Sequence, residues 1–324
     1  MTQYIQNIIY LFFLFCLCAC VSNPSKNTKQ VNEGIAAYQQ GDYSTAFKLL
    51  SPAAQQGHAL AQFYLGTLYE QGHGVPQNQH SASQWFQKAA KQQLAEAQNA
   101  LGHLYFHGQG VQQDYQQAVH WYRQAAKQGI TSAQAELGLM YAQGLGVSQD
   151  YQAAAQWLAQ AAAKNHAVAQ NGLGRLYERG LGVAENQQTA VEWYRRAAQQ
   201  GYASAQFNLG MMYERGQGVA QDYQHAFSWF QRAAEQKLDV AQYNLALMYH
   251  QGHGVKQDYQ QALQWYRRAA QQGFAPAQNN LALMYLHGEG VTPDRQQAIN
   301  WLTQAAKQGF IDAQQALNAL TDTD

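Results

Sequence analysis

Charged side chains are scarce in this sequence of 324 residues. They make up 12% of the chain, about half of the share usual in globular proteins. The 20 Lys and Arg balance the 20 Asp and Glu, so the formal net charge is zero. A protein that binds DNA, RNA or an anionic membrane surface normally carries a basic patch. The composition therefore argues against nucleic-acid binding.

Cysteine is almost absent as well. The three cysteines are Cys16, Cys18 and Cys20, all within the first twenty residues. The chain after Cys20 has no thiol and can form no disulfide. Its fold must therefore be stabilised by packing alone.

The apolar run over residues 8–17 is short for a membrane span, which needs about 20 residues. Its length fits the hydrophobic core of a signal peptide. The run ends in Leu17-Cys18-Ala19-Cys20, which resembles the lipobox of bacterial lipoproteins. The resemblance implies a signal peptide over residues 1–19 and a lipid on Cys20.

The residues after the cysteine predict the location of the protein. Val21, and not Asp, follows Cys20, so the resemblance implies a lipid anchor in the outer membrane, facing the periplasm. Residues 20–30 are polar and are predicted to form a flexible tether. An uncleaved N-terminal anchor and a signal without lipid are the alternatives.

Tryptophan recurs with a constant interval of 36 residues. The seven are Trp85, Trp121, Trp157, Trp193, Trp229, Trp265 and Trp301. This spacing indicates a repeat array and not two unrelated domains. When the sequence is divided at a recurring Ala-Gln pair, it gives seven repeat units that cover residues 61–312. Alanines flank each tryptophan, so we expect all seven in the structural core and not in a ladder for sugars or bases.

The sequence pattern of each repeat unit predicts two short helices. In the unit that starts at Ala97, Leu101 and Leu104 follow on one helical face, and Gly108 ends the helix. Asp114 is the predicted N-cap of the second helix, and Asp or Asn holds this position in all seven units. Helices of about 12 residues are marginal alone, so neighbouring units must bury each other's faces.

The unit resembles the Sel1-like repeat, a relative of the tetratricopeptide repeat. The resemblance rests on the Ala-Gln start, Leu65-Gly66, Tyr69, Gly72-x-Gly74-Val75, Trp85 and Ala89-Ala90. It implies an all-α fold, an α-solenoid that forms a right-handed superhelix of helix-turn-helix pairs. Residues 31–60 resemble a tetratricopeptide unit and are predicted to be the N-terminal cap, and residues 313–324 a C-terminal capping helix and tail.

Positions 3, 7, 10 and 11 of the first helix vary freely between units and share one face. In tetratricopeptide-like solenoids, this face lines the concave groove. We therefore expect it to bind a protein partner. The predicted groove residues are Phe63, Thr67, Glu70, His103, Phe106, His107, Arg175, Glu178, Arg179, Phe207, Met211, Glu214, Arg215, Tyr243, Leu247 and His250.

Patterns that carry catalysis are not found. The Gly-x-Gly-Val loops follow helices, so they are predicted to be turns and not phosphate loops. His103 and His107 have the spacing of a metal pair but no recurring third ligand, and Glu178 and Glu214 form the best acid pair. We expect no enzyme activity, cofactor or metal.

The predicted function is a monomeric, non-enzymatic scaffold or adaptor at the cell envelope, bound to a protein partner. One alternative is a periplasmic immunity or inhibitor protein against a secreted toxic effector. A second is an enzyme that acts on the cell wall or on β-lactams.

Overall fold

The computed structural model describes residues 24–321, so the predicted signal peptide and Cys20 lie outside the described residues. The described part contains seventeen helices and no strand. They are α1 (Pro24–Gln39), α2 (Tyr43–Gln55), α3 (Ala59–Gln71), α4 (Gln79–Lys91), α5 (Ala95–His107), α6 (Tyr115–Lys127), α7 (Thr131–Gln143), α8 (Tyr151–Ala163), α9 (Ala167–Arg179), α10 (Gln187–Gln199), α11 (Ala203–Arg215), α12 (Tyr223–Glu235), α13 (Asp239–Gln251), α14 (Tyr259–Gln271), α15 (Ala275–His287), α16 (Arg295–Lys307) and α17 (Ile311–Thr321).

The helices form two compact units, α1 to α7 and α8 to α17. In each unit, odd-numbered A helices alternate with even-numbered B helices, and each helix packs against the next one along the chain. This order of helix pairs confirms the predicted all-α solenoid fold. Among the described helices, none is long and apolar enough to cross a bilayer.

A side-chain cap starts each B helix from α4 to α16. The Asp114 carboxylate accepts hydrogen bonds from the backbone N–H groups of Gln116 and Gln117, at 2.9 and 3.0 Å. Such bonds satisfy N–H groups that have no partner inside the helix. The seven predicted caps are confirmed: Asn78, Asp114, Asp150, Asn186, Asp222, Asp258 and Asp294.

The Gly-x-Gly-Val loop joins each A helix to its B helix. Gly108 ends α5 in the left-handed conformation, with φ 70°. A Cβ on Gly110 would lie 2.1 Å from the carbonyl oxygen of Gln79, at the start of the preceding B helix. Val111 packs against the same hydrophobic cluster as α4 and α5. The loop is therefore a contact between successive repeats, as expected of a structural turn.

The residue after each tryptophan fills the core. Phe230 is fully buried, whereas Trp229 is half-buried. Trp229, which we expected in the core, lies at its edge, because one residue turns a helix by about 100° and Phe230, at i+4 from Ala226, points further inward. Trp229 packs against the cluster formed by α10 of the preceding repeat and α11 of its own, and the Arg232 guanidinium carbon lies 4.7 Å from the centre of its ring.

The same arrangement recurs along the chain. All seven tryptophans are half-buried, and the residues that follow them are buried: Phe86, Tyr122, Leu158, Tyr194, Phe230, Tyr266 and Leu302. Trp85 packs against the cluster of α1 to α3, and Trp121 against that of α4 and α5. In these contacts, tryptophan therefore connects one repeat to the one before it.

The glutamine of the Ala-Gln pair links three helices by hydrogen bonds. Gln98 is 4% exposed. Its Nε2 donates to the Ala90 carbonyl at 3.2 Å, at the end of the preceding B helix. Its Oε1 accepts from Gln128 Nε2 at 2.8 Å, at the end of its own B helix. The pattern recurs at Gln206 and Gln242. Ala-Gln is fixed because this buried amide needs both partners.

The first helix begins earlier than predicted. Helix α1 starts at Pro24, inside residues 20–30, which we predicted to be a flexible tether. Asn27 Nδ2 donates to Gln56 Oε1 at 3.0 Å, and Gln30 Nε2 donates to the Leu49 carbonyl at 2.9 Å. These bonds to α2 and the residue after it hold a polar segment in helical form.

Candidate functional site

In each compact unit, the A-helix face is the surface formed by positions 3, 7, 10 and 11 of its A helices, which are α3, α5 and α7 in the first unit and α9, α11, α13 and α15 in the second. Position 11 is exposed in all seven helices, and position 10 is half-buried in all of them. Position 7 is exposed at His103 and Arg175 and half-buried elsewhere. Position 3 lies closer to the core than the other three positions. It is buried at Ala135, Asn171 and Asn279 and half-buried in the remaining four helices.

The apolar members of this face are largely committed to internal packing. Phe63 lies 5.7 Å from Phe86, centroid to centroid, and Phe207 lies 5.6 Å from Phe230. Met211 packs against the cluster around Phe230, and Tyr243 and Leu247 against the cluster around Tyr266. The apolar members of the predicted groove are therefore partly buried, and the exposed side chains of the face are histidine, arginine and glutamine.

In the first compact unit (α1 to α7), the A-helix face carries two exposed histidines on one helix. His103 and His107 are exposed on α5, with ring centroids 4.4 Å apart. Partial burial, and then His107, lower the pKa of His103. The half-buried carboxyl of Glu136 on α7 has its pKa raised by burial, an effect that nearby His107 opposes. Within residues 24–321, no three His, Cys, Asp or Glu side chains are grouped to hold a metal ion.

In the second compact unit (α8 to α17), a glutamate and a tyrosine form a hydrogen bond close to two arginines. The buried Tyr194 hydroxyl on α10 donates a short hydrogen bond to the Glu178 carboxylate on α9. Burial, and then this bond, raise the pKa of Tyr194, while Arg175 and Arg179 act in the opposite direction. Both arginines are exposed, whereas Glu178 is half-buried.

The next A helix continues this surface. Asn208 Nδ2 on α11 donates to Asn171 Oδ1 on α9 at 2.9 Å, so the two A helices lie side by side. At the other end of α11, Arg215 is exposed and Glu214 is half-buried. Burial raises the pKa of Glu214, and Arg215 and His253 oppose this shift. Glu178 and Glu214 thus do not form a matched acid pair, since Tyr194 holds only one of them.

A second polar network joins α13 to α15. His250 Nε2 lies 3.2 Å from Glu289 Oε2. Asn280 Nδ2 donates to the hydroxyls of Tyr243 and Tyr266, at 3.4 and 3.3 Å. Tyr243 and His250 were predicted groove residues, and these bonds place both of them in contact with neighbouring repeats.

Glu136, Tyr194 and Asn208 are the site residues that the sequence reasoning missed. Glu136 and Asn208 occupy position 4 of the A helix, and Tyr194 follows a tryptophan that we had assigned to the core. Position 4 also varies between units, which is the signal that could have identified the first two.

Comparisons with known proteins agree with this architecture. The Sel1 repeat profile matches residues 33–58, 59–94, 95–130, 131–166, 167–202, 203–238, 239–274 and 275–310. These are eight repeats, one more than the seven predicted. The additional repeat lies within residues 31–60, which we had predicted to be a tetratricopeptide-like cap. A comparison with curated protein sequences finds no match.

Two solved structures resemble the chain over most of its length. A Sel1 repeat protein from Oxalobacter formigenes is 33% identical and covers 95% of this chain and 92% of its own, with a TM-score of 0.70. A protective antigen of uropathogenic Escherichia coli with an SLR fold is 39% identical, with a TM-score of 0.77. That match covers 91% of this chain, which spans 64% of the antigen's chain. Repeat matches, helix pairs and these likenesses agree: the chain belongs to the Sel1 repeat family.

Proposed function

We propose that this protein is a non-enzymatic scaffold that binds a partner protein through the A-helix face, at the cell envelope. Sel1 repeat solenoids are protein-interaction scaffolds. The observation that supports the proposal is the contrast along each A helix. The Ala-Gln pair is buried and uniform, whereas position 11 is exposed in every repeat and alternates among Gln, His and Arg. Arginine is enriched where protein interfaces carry most of their binding energy.

Photo-crosslinking in native cells tests the binding face. A photoreactive residue at His107, Arg179 or Gln251 should trap one discrete partner band. The same residue at Gln124 or Gln264, exposed on B helices, serves as the matched control and should trap none. Crosslinks from the B helices alone would reject the A-helix face. An effector enzyme among the trapped partners would identify the protein as an inhibitor.

The envelope location rests on the resemblance of Leu17-Cys18-Ala19-Cys20 to a lipobox. Two acyl-type attachments give stable membrane anchoring, where a single chain is marginal. Cys20→Ser should therefore move the protein from the membrane fraction to the soluble fraction. Cys18→Ser is the control and should leave it in the membrane fraction. Retention of Cys20→Ser in membranes would support an uncleaved anchor in place of lipidation.

A further inference from the structure

Six of the ten arginines of this chain serve internal contacts, among them Arg295, which donates to the Leu320 carbonyl. Arg196, Arg232 and Arg268 cover tryptophan rings at 4.7, 4.7 and 4.2 Å. Arg123 and Arg267 donate to tyrosine hydroxyls at 2.9 and 3.0 Å. Their positions are explained by packing inside the array.

Arg175, Arg179 and Arg215 are different. All three are exposed, and no ion pair in the described part of the chain includes them. Arg175 and Arg179 are one helical turn apart on α9, so their side chains are neighbours. Arg215 holds the position equivalent to Arg179 on α11, which lies beside α9. These three residues form the arginine patch.

The two glutamates on the same helices as the patch are withdrawn from the surface, whereas Glu185, in the loop after α9, is exposed and accepts a hydrogen bond from Gln187 Nε2 at 2.9 Å. Glu178 is half-buried and accepts the Tyr194 hydroxyl, and Glu214 is half-buried. On α9 and α11, the guanidinium groups therefore form the outer layer, and the carboxylates of Glu178 and Glu214 the inner one. A group that approaches these two helices from solvent meets positive charge first, although the chain has no net charge.

We propose that the arginine patch binds an acidic segment of the partner protein, through its Asp or Glu carboxylates. This inference rests on the proposed function, since it names the chemistry that the A-helix face of the second unit recognises. The planar guanidinium donates two parallel hydrogen bonds to a carboxylate, a fit that lysine does not offer. Charge complementarity of this kind fixes the register of a partner and accelerates its association.

Titration of the full chain with a peptide of about ten glutamates, by calorimetry at low salt, tests the proposal. Arg175→Gln, Arg179→Gln and Arg215→Gln combined should weaken binding about tenfold or more. Arg196→Gln, Arg232→Gln and Arg268→Gln combined are the matched control, because they remove the same charge from the tryptophan-stacked group. The control should bind within about twofold of the wild type. Circular dichroism should show that both variants keep their helices.

Three outcomes would overturn the proposal. One is equal loss in the control variant, which would mean that net charge and not the patch binds the peptide. Another is equal affinity for a glutamine peptide. The third is equally tight binding of inorganic phosphate, since that would indicate a general anion site. If the patch variant still captures a partner identified by crosslinking at the A-helix face, the proposed function stands and the acidic segment is wrong. If no partner crosslinks to that face, the proposed function itself fails.

Discussion

Buried glutamine is the residue on which the stacking of repeats depends most directly. Gln98 donates to the Ala90 carbonyl and accepts from Gln128, and removal of its amide would break both bonds, although the Gln93 backbone still bonds to each of these partners. A typical intramolecular hydrogen bond contributes about 0.5–1.5 kcal/mol, so the two together contribute about 1–3 kcal/mol. Gln98→Leu should therefore lower the free energy of unfolding by about that amount, measured by urea denaturation. Gln124→Ala, on the exposed side of α6, should leave it unchanged.

Two adjacent aromatic residues on a B helix should differ in how much they contribute to the free energy of unfolding. Phe230 is fully buried and contacts Phe207, so Phe230→Ala should cost about 3–5 kcal/mol. Trp229 is half-buried, and Trp229→Ala should cost less, although it removes the larger ring. Urea denaturation of the two variants measures the difference. A larger loss for Trp229→Ala would show that the tryptophan, and not the residue after it, contributes more to the stability of the core.

The raised pKa of Glu136 gives a prediction with a definite sign. Burial raises the pKa of this carboxyl above its value in the unfolded chain. The charged form is thus penalised only in the folded state, and stability falls as pH rises from below the ordinary value of 4.5 through the raised pKa. Glu136→Gln should stabilise the protein at pH 7 and have a smaller effect at pH 4. Thermal melting at both pH values tests this, and equal effects at both would contradict it.

At the scale of elements, the helix ends contain three residues in a conformation that favours glycine. The turn after a B helix is left-handed at Gly57, Gly201 and Gly273 and also at Gln93, Asn165 and Lys237. A side chain in this region costs about 1–2 kcal/mol, and least for asparagine. Lys237→Gly should therefore raise the free energy of unfolding by about 1 kcal/mol.

Asn165→Gly is the control for that substitution. The Asn165 side chain accepts hydrogen bonds from Gln170 and Gln200, at 3.1 and 3.3 Å. Glycine would relieve the backbone but remove these bonds, so the gain should be smaller than for Lys237→Gly. A larger gain would show that backbone strain outweighs the bonds.

The elements differ in how well the sequence predicts them. Caps such as Asp114 and loops such as Gly108-x-Gly110 were predictable, because their chemistry is local and recurs in every unit. The burial of Phe230 in place of Trp229 was not, since two adjacent aromatic residues give the same periodic signal. The helical start at Pro24 depends on hydrogen bonds to α2 that no local pattern reveals. On the A-helix face, the variable positions were predictable, but the Glu178–Tyr194 bond between helices was not.

At the scale of the whole molecule, the repeats have a constant length. Seven of the matched repeats are each 36 residues long without a gap. Within residues 24–321, hydrogen bonds between repeats join adjacent ones, as in the bond from Gln206 to the Ala198 carbonyl at 3.2 Å. Stability in such arrays is close to a sum over repeats and their interfaces.

Deletion of residues 203–238 should therefore leave a folded, shorter protein. Gln242 would then occupy the position of Gln206 and meet the Ala198 carbonyl. Circular dichroism should show an unchanged signal per residue, with a lower melting temperature. Deletion of residues 203–220, half a repeat, is the control and should abolish cooperative melting. Equal behaviour of the two deletions would reject the modular description.

The three-helix glutamine link also bears on how the array resists mechanical force. Each link joins the end of one B helix to the next A helix and to the end of the following B helix. Because these links join neighbouring repeats, the loss of one repeat under force leaves the links between the other repeats in place. In a single-molecule stretching experiment, each compact unit should therefore extend in steps that correspond to the unfolding of about one repeat. Unfolding should start at a terminal repeat and proceed to the repeats inside the array.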